Sequence, residues 1–521
     1  MENYISCFLI KTHDITAKPP ARKRRNLKTF SVPKVTVHTK KKEIKDNQII
    51  IACLRKKIAF SKLTKEAITD LDQFIGLPKA ICNSEGIPEK GQKSASLQYF
   101  RALYKDAFLN ILPTDGLVRF TTVILEGMFM IQTTPLPMHK TFKDYAEFLF
   151  NRWIVRSHAQ YRASEVHVVF DHPNRHGISP KDIERSRRDS SFSHNVEYKT
   201  VTSQSTMPGN WRNFLAIREQ KRQLVNYLSD EFLHLAQMKF MEGECYFITS
   251  GGFDDDRKDL AFGSFGSFGI KEAPNFRCDH EEGDSRVWFN ALQTTADRVI
   301  IYSPDTDTTF IGLPLVQHLH GKSVYVNSRD SSTLEKEFID INSLVSLISN
   351  DIQLQGSQKV EECLLMVYIL SGCDFVSFFK GCGKKKFFDC FRKNFGFITN
   401  ELCHVGNDKG LLAFYRLVLT VYFLRYKTAF EASSVEDLYK KLPGNDDLEK
   451  HKSLIHSFRE IMWDRATNEE DMLPNADALK LHWMRCCWVY KYWQQSFSSN
   501  MKLEQVQEYG WTLNNDVISF K

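Results

Sequence analysis

The sequence predicts an α/β fold, a parallel sheet flanked by helices, followed by an α-helical region. Three observations carry that reading. Four short apolar runs, at Thr121–Glu126, 166–171, 298–305 and 323–326, alternate with helical patterns, the arrangement of a parallel α/β sheet. From residue 359 onward the patterns are almost all helical, most strongly over 411–425 and 476–493. The chain has 521 residues, 42% hydrophobic and 26% charged, with 25 Gly and 16 Pro. That is ordinary globular composition with room for two to four domains, which excludes wholesale disorder and collagen-like or low-complexity classes.

Taken in order, residues 1–50 hold twelve Lys/Arg against four Asp/Glu, a local charge of +8 in a chain of net +7. The basic residues cluster at 22–25 and 40–42 among prolines, so this stretch reads as a mobile arm suited to nuclear import or phosphate contact. Residues 51–117 carry some helical pattern broken by Gly76, Pro78, Gly86 and Pro88, and read as an irregular lobe. After the strand Thr121–Glu126 come a helix over 142–157 and the strand Val166-His-Val-Val-Phe-Asp171. A basic helix starts near Ser179 with Pro180 in its first turn, and a long helix covers 211–237. A strand follows at 245–249. The Phe-Gly-Ser repeat at 262–269 reads as a flexible loop, because its glycines do not sit between a strand and a helix. A helix over 281–292 leads into the strands at 298–305 and 323–326.

The longest apolar stretch, 411–424, is interrupted by Arg416 and is too short for a membrane span. No basic–apolar–small leader is present. Twelve cysteines without a C-x-x-C pair favour reduced thiols. The expectation is a nuclear protein, otherwise cytoplasmic, with no membrane partner.

Three of the strands end in an acid: Glu126, Asp171 and Asp305. The carboxyl ends of the strands in an open parallel sheet line one crevice, so these carboxylates should converge. Asp307 lies two residues beyond Asp305, Glu282 and Asp284 lie at the preceding helix, and Asp374 follows the apolar helix 364–370. A single acid after a strand serves well as a helix cap, but several at one edge repel and call for cations. Hard divalent ions take such oxygen ligands, Mg²⁺ in particular. Two ions ~4 Å apart can activate a water and stabilise the leaving oxygen of a phosphodiester.

The order Glu126; Asp171; Glu282-Gly-Asp284; Asp305-Thr-Asp307; Asp374 resembles the acidic series of the flap endonuclease family, within the PIN-like nuclease superfamily. Val168-Val-Phe-Asp171 is similar to that family's second acidic strand, and the segment with Lys181, Arg185 and Arg188 to its phosphate-steering helix. Ser371-Gly-Cys-Asp374 running into Gly381-Cys-Gly383-Lys384-Lys385-Lys386 resembles the last acid joined to a helix–hairpin–helix. The likeness covers roughly residues 118–395. It implies a PIN-like domain over 118–376 running into a helix–hairpin–helix region over 377–430; residues 431–521, which it does not cover, read from their own patterns as a C-terminal helical region. It also implies a structure-specific nuclease for branched or single-stranded DNA ends, or RNA, with two Mg²⁺ or Mn²⁺ ions and a monovalent cation at the hairpin. Metal ligands would be Glu126, Asp171, Glu282, Asp284, Asp305, Asp307 and Asp374, and Lys181, Arg185 and Arg188 would neutralise the scissile phosphate. Three departures stand out: Glu126 replaces an aspartate, Gly283 and Ser285 loosen the paired-acid segment, and residues 1–117 precede the first strand where the family has a glycine-led N-terminus.

The hairpin also has a reading of its own. Gly381 and Gly383 let backbone N–H groups approach a phosphate, and residues 380–393 hold six Lys/Arg against Asp389 alone. The cysteines near Cys363–His404 fit no standard zinc spacing. Two rivals use the same residues: a non-catalytic PIN-like module binding nucleic acid or protein, and a haloacid-dehalogenase-like phosphatase with Asp305 as nucleophile.

Overall fold

A computed structural model describes residues 77–521, apart from 84–85, 114–119, 134–139, 174, 190–197, 331–335, 356–358 and 466–467, together with short helical pieces between 45 and 64. The basic clusters at 22–25 and 40–42 lie outside the described residues. Nine strands form the central sheet: β1 (Phe108–Leu109), β2 (Thr121–Glu126), β3 (Glu165–Val169), β4 (Tyr246–Ser250), β5 (Ala261–Ser264), β6 (Ile270–Glu272), β7 (Arg298–Tyr302), β8 (Ser323–Asp330) and β9 (Lys336–Asp340). Their order is β1-β9-β8-β7-β2-β3-β4-β5-β6. The middle five, β8-β7-β2-β3-β4, are parallel, and antiparallel pairs extend both edges.

The parallel strands are short apolar runs because both faces are covered. Along β2, Ile124 enters one core while Val123 and Leu125 enter the other. Chain order reverses at the β2–β7 pair, where Leu125 sits opposite Tyr302. That reversal opens a crevice at the carboxyl ends of the strands. The helices that flank the sheet or pack beside it include α1 (Ala95–Leu103), α2 (Gly127–Thr133), α3 (Asp182–Asp189), α4 (Arg218–Lys239), α5 (Gly283–Gln293), α6 (Thr306–Gly312), α7 (Val360–Leu370) and α8 (Lys384–Lys393). The remaining C-terminal helices pack into the same core as α7 and end on a hairpin of Trp511–Asn514 with Val517–Phe520.

Several elements differ from the sequence expectation. The 262–269 stretch is not a loop but the β5–β6 hairpin, and Gly266 (φ 60°) and Gly269 (φ 78°) supply its left-handed turn positions. The helix expected over 211–237 breaks at Ile217, whose backbone is extended, into Trp211–Ala216 and α4. β9 and the helix Ile341–Ser349 were not anticipated at all. Residues of the N-terminal lobe are built into the fold: β1 pairs with β9, and Phe100 packs edge-on against Phe310 and Phe388. Among the described residues, no helix is long and apolar enough to cross a membrane, and the described cysteines are free thiols.

Candidate metal centre

Glu126 ends β2, Asp171 follows β3, and Asp305 follows β7 as the residue that starts α6. All three reach one open cleft of about 510 Å³, which Asp284, Asp374, Lys181 and Lys93 also line. Glu126 and Asp305 are anchored by nearby backbone N–H groups, Asp171 by an N–H distant in the chain, and Asp284 and Asp307 by side chains. The Glu126 carboxylate accepts the Met128 and Phe129 N–H groups at 2.8 and 2.6 Å, capping α2. Asp171 accepts the Gly283 N–H at 2.5 Å. A Cβ on Gly283 would lie 2.9 Å from Asp171 Oδ1 and 3.5 Å from Glu126 Cγ. The glycine thus makes room for the acids that converge on the start of α5, including the longer Glu126. Asp284, in the first turn of α5, accepts the Thr308 hydroxyl at 2.5 Å and the Ser303 hydroxyl at 3.4 Å. The Asp305 side chain is 42% exposed and accepts the Asp307 N–H at 3.1 Å. Asp307 is buried beneath it, held by the Tyr368 hydroxyl and by Lys93 Nζ at 2.6 Å.

Ligand oxygens of Asp284, Asp305 and Asp307 lie within 4.8 Å of one another. At that spacing and an effective dielectric of about 20, each charged pair repels by about 3 kcal/mol. Burial, with Asp305 and Asp307 beside it, pushes Asp284 up to about 7. Burial and the charges of Asp171 and Asp284 raise Glu126 well above the usual carboxylate range, against its two N–H donors. Asp307 is also raised, because burial and the charges of Asp305 and Asp374 outweigh Lys93. Asp171 goes the other way. Burial opposes its charge, but Lys181, Lys221 on α4 and the Gly283 N–H hold it low.

The donor set is all oxygen, closely spaced and open on the Asp305 side, which fits a hard divalent ion that keeps water ligands. The cluster can hold a metal ion, with Asp284, Asp305 and Asp307 as its nearest grouping. Cys278 and His280, beside the acidic helix, take no part in the cluster. His280 is buried against the Ser498 carbonyl, and Cys278 contacts Arg286.

Not every expected site residue faces the cleft. The Glu282 carboxylate pairs with Lys181 and is buried, outside the cleft lining. Arg185 pairs with Glu281 at 2.7 Å and Asp182 at 3.0 Å. Arg188 lies on α3, and its side chain is outside the described residues. Between α7 and α8, Gly381 has φ 70° and Gly383 precedes the first turn of α8. Lys385 and Lys386 are exposed there. Lys384 is a correction: expected on the phosphate-facing surface, it is fully buried. Its Nζ donates to the Tyr368 carbonyl at 2.6 Å and the Ser371 hydroxyl at 3.2 Å, and burial drives its pKa down to about 7.

The residue that sequence reasoning missed is Lys93. Its Nζ lies 2.6 Å from Asp307, 3.0 Å from Asp374 and 3.6 Å from Asp305. Burial disfavours its charge, yet Asp307, Asp305 and Asp374 hold its pKa well above the usual value. Thr308 was nearer to hand, since it directly follows the Asp305-Thr-Asp307 motif. Comparison with known proteins finds no matching family model and no matching curated protein.

Proposed function

We propose that the chain is a divalent-metal-dependent nuclease of PIN-like type, hydrolysing phosphodiesters in branched or single-stranded DNA ends. The observation that carries the reading is the meeting of Glu126, Asp171, Asp284, Asp305 and Asp374 in one open cleft at the carboxyl ends of parallel strands. Their order along the chain, which resembles the flap endonuclease acidic series, points the same way. Mg²⁺ or Mn²⁺ held by Asp284 and Asp305, with Asp171 and Glu126 beside them, would supply an activated water and charge stabilisation for the leaving oxygen. Lys181, already at the cleft wall, can exchange Glu282 for a phosphate oxygen as charge develops there. The α7–α8 connection, read as a helix–hairpin–helix, would grip the nucleic-acid backbone through the Gly381–Gly383 amides, Lys385 and Lys386, with a monovalent cation at its turn. RNA ends are the alternative substrate, and the basic arm would direct the protein to the nucleus.

Labelled flap, hairpin and single-stranded DNA and RNA, incubated with the purified full chain in Mg²⁺, in Mn²⁺ and in excess chelator, test this. Cleavage should need the metal and should collapse in Asp305→Ala and Asp307→Ala, while DNA affinity in chelator stays equal or rises. Cleavage that survives chelator, or that survives both substitutions, would overturn the reading.

One observation favours the non-catalytic alternative. Lys93 already neutralises part of the cluster, so the acids have a cation without any metal. Nucleic-acid binding with no cleavage in any metal would select that reading.

A further inference from the structure

Given the metal-site reading above, we propose that Lys93 is the resident cation of the deep end of the cleft, so that this chain takes one divalent ion where its acidic series would otherwise take two. The ammonium sits among three carboxylates, at 2.6 Å from Asp307, 3.0 Å from Asp374 and 3.6 Å from Asp305. Those acids come from two separate places in the fold, the start of α6 and the end of the α7 segment, and Lys93 bridges them as an ion would. Both oxygens of Asp307 are engaged, Oδ1 by the Tyr368 hydroxyl and Oδ2 by Lys93. A second divalent ion at that end would have to displace the ammonium.

Lys93 is not a stray surface side chain that happens to reach inward. Its carbonyl accepts the Ser96 hydroxyl at 2.7 Å, which fixes the backbone just before α1. The chain leading to it is pinned to the segment after Asp374. Glu89 N–H donates to Ser377 Oγ at 2.9 Å, Phe378 N–H donates to the Glu89 carbonyl at 3.0 Å, and Lys380 N–H donates to the Ala80 carbonyl at 2.8 Å. Gly91 packs so tightly on Phe378 that a Cβ there would fall 2.2 Å from the ring. The lysine is therefore delivered to the acids by a built contact between the N-terminal segment and the α7–α8 connection. The outer end, with Asp284, Asp305, Glu126 and Asp171, is left for one ion, with Asp305 shared between the two cations.

Mn²⁺ titration of the purified full chain, with free Mn²⁺ followed by electron paramagnetic resonance, counts the ions directly. The wild type should bind one Mn²⁺ per chain without cooperativity. Lys93→Met should bind two, and Lys93→Arg, which keeps the tethered cation, should return to one. Two ions on the wild type, or one on a folded Lys93→Met variant, would overturn the proposal while leaving the metal site intact. No Mn²⁺ on any form would overturn both this proposal and the metal reading beneath it. Should Lys93→Met fail to fold, Lys93→Gln, polar but uncharged, takes its place: two ions on it support the proposal and one overturns it.

Discussion

Asp284→Asn should make the metal-free protein more stable, and by an amount that grows with pH. The carboxyl titrates near 3.9 in an unfolded chain, whereas burial and the charges of Asp305 and Asp307 hold it at about 7 in the fold. A carboxyl raised in this way costs nothing below pH ~4, where both states are protonated. As pH rises toward 7 the unfolded state ionises first, and stability is lost at about 1.4 kcal/mol per unit. The full loss would be about 4 kcal/mol above pH 7. Asp284 is only half-buried, beside an open cleft, so screening by water reduces this to about 2–3 kcal/mol. Asparagine removes the charge and retains an oxygen for the Thr308 hydroxyl. Urea unfolding in chelator at pH 5 and pH 8 should show the variant ahead of wild type at both, by about 1–2 kcal/mol more at pH 8. Saturating Mn²⁺ should close that gap, because only the wild type regains binding energy, about 2.7 kcal/mol at a hundredfold excess over Kd. A variant no more stable than wild type in chelator at pH 8 would show that the carboxylate is fully compensated, and the cluster would then be structural.

The raised carboxyls set the pH dependence of metal binding: Mn²⁺ affinity should fall by at least about tenfold per unit below pH 7, since the ion must displace the Asp284 proton and that of the raised Glu126 as well. Affinity unchanged between pH 5.5 and 7.5 would contradict this. Gly283→Ala places a Cβ 2.9 Å from Asp171 Oδ1, so isothermal titration should show Mn²⁺ binding weakened by about tenfold with stability lowered by under ~2 kcal/mol. In the α7–α8 connection, Lys385→Ala with Lys386→Ala should lower the slope of log K against log salt for DNA by about one unit per lost contact. Lys384→Met should leave that slope unchanged, because its ammonium is buried on the Tyr368 ring, 3.6 Å from the centroid.

What the sequence shows of this fold follows from local chemistry. β2, β3 and β7 are legible because a strand covered on both faces must be an unbroken apolar run, and the acid at each end breaks that run where the crevice opens. The 262–269 hairpin is illegible for the opposite reason. Glycine and serine serve a tight turn and a loose loop equally well, and only pairing with β4 distinguishes them. Lys93 could not be found locally, since its contact with Asp307 spans 214 positions. Lys384 could have been. It shares a helical face with Phe387, Phe388 and Phe391, all buried, and three- and four-residue spacing already places it inward. Glu282 shows the limit of a motif: spacing places it beside Asp284, yet it stands just outside α5 and turns to Lys181.

Whether the carboxylates at the strand ends hold a divalent ion is read from anomalous diffraction at the manganese edge, from crystals of the full chain grown in Mn²⁺. A manganese peak is expected in the cleft against Asp284 and Asp305, within reach of Asp307, Glu126 and Asp171. A cleft without a peak at saturating Mn²⁺, or a peak held by other residues, would contradict the metal-site reading.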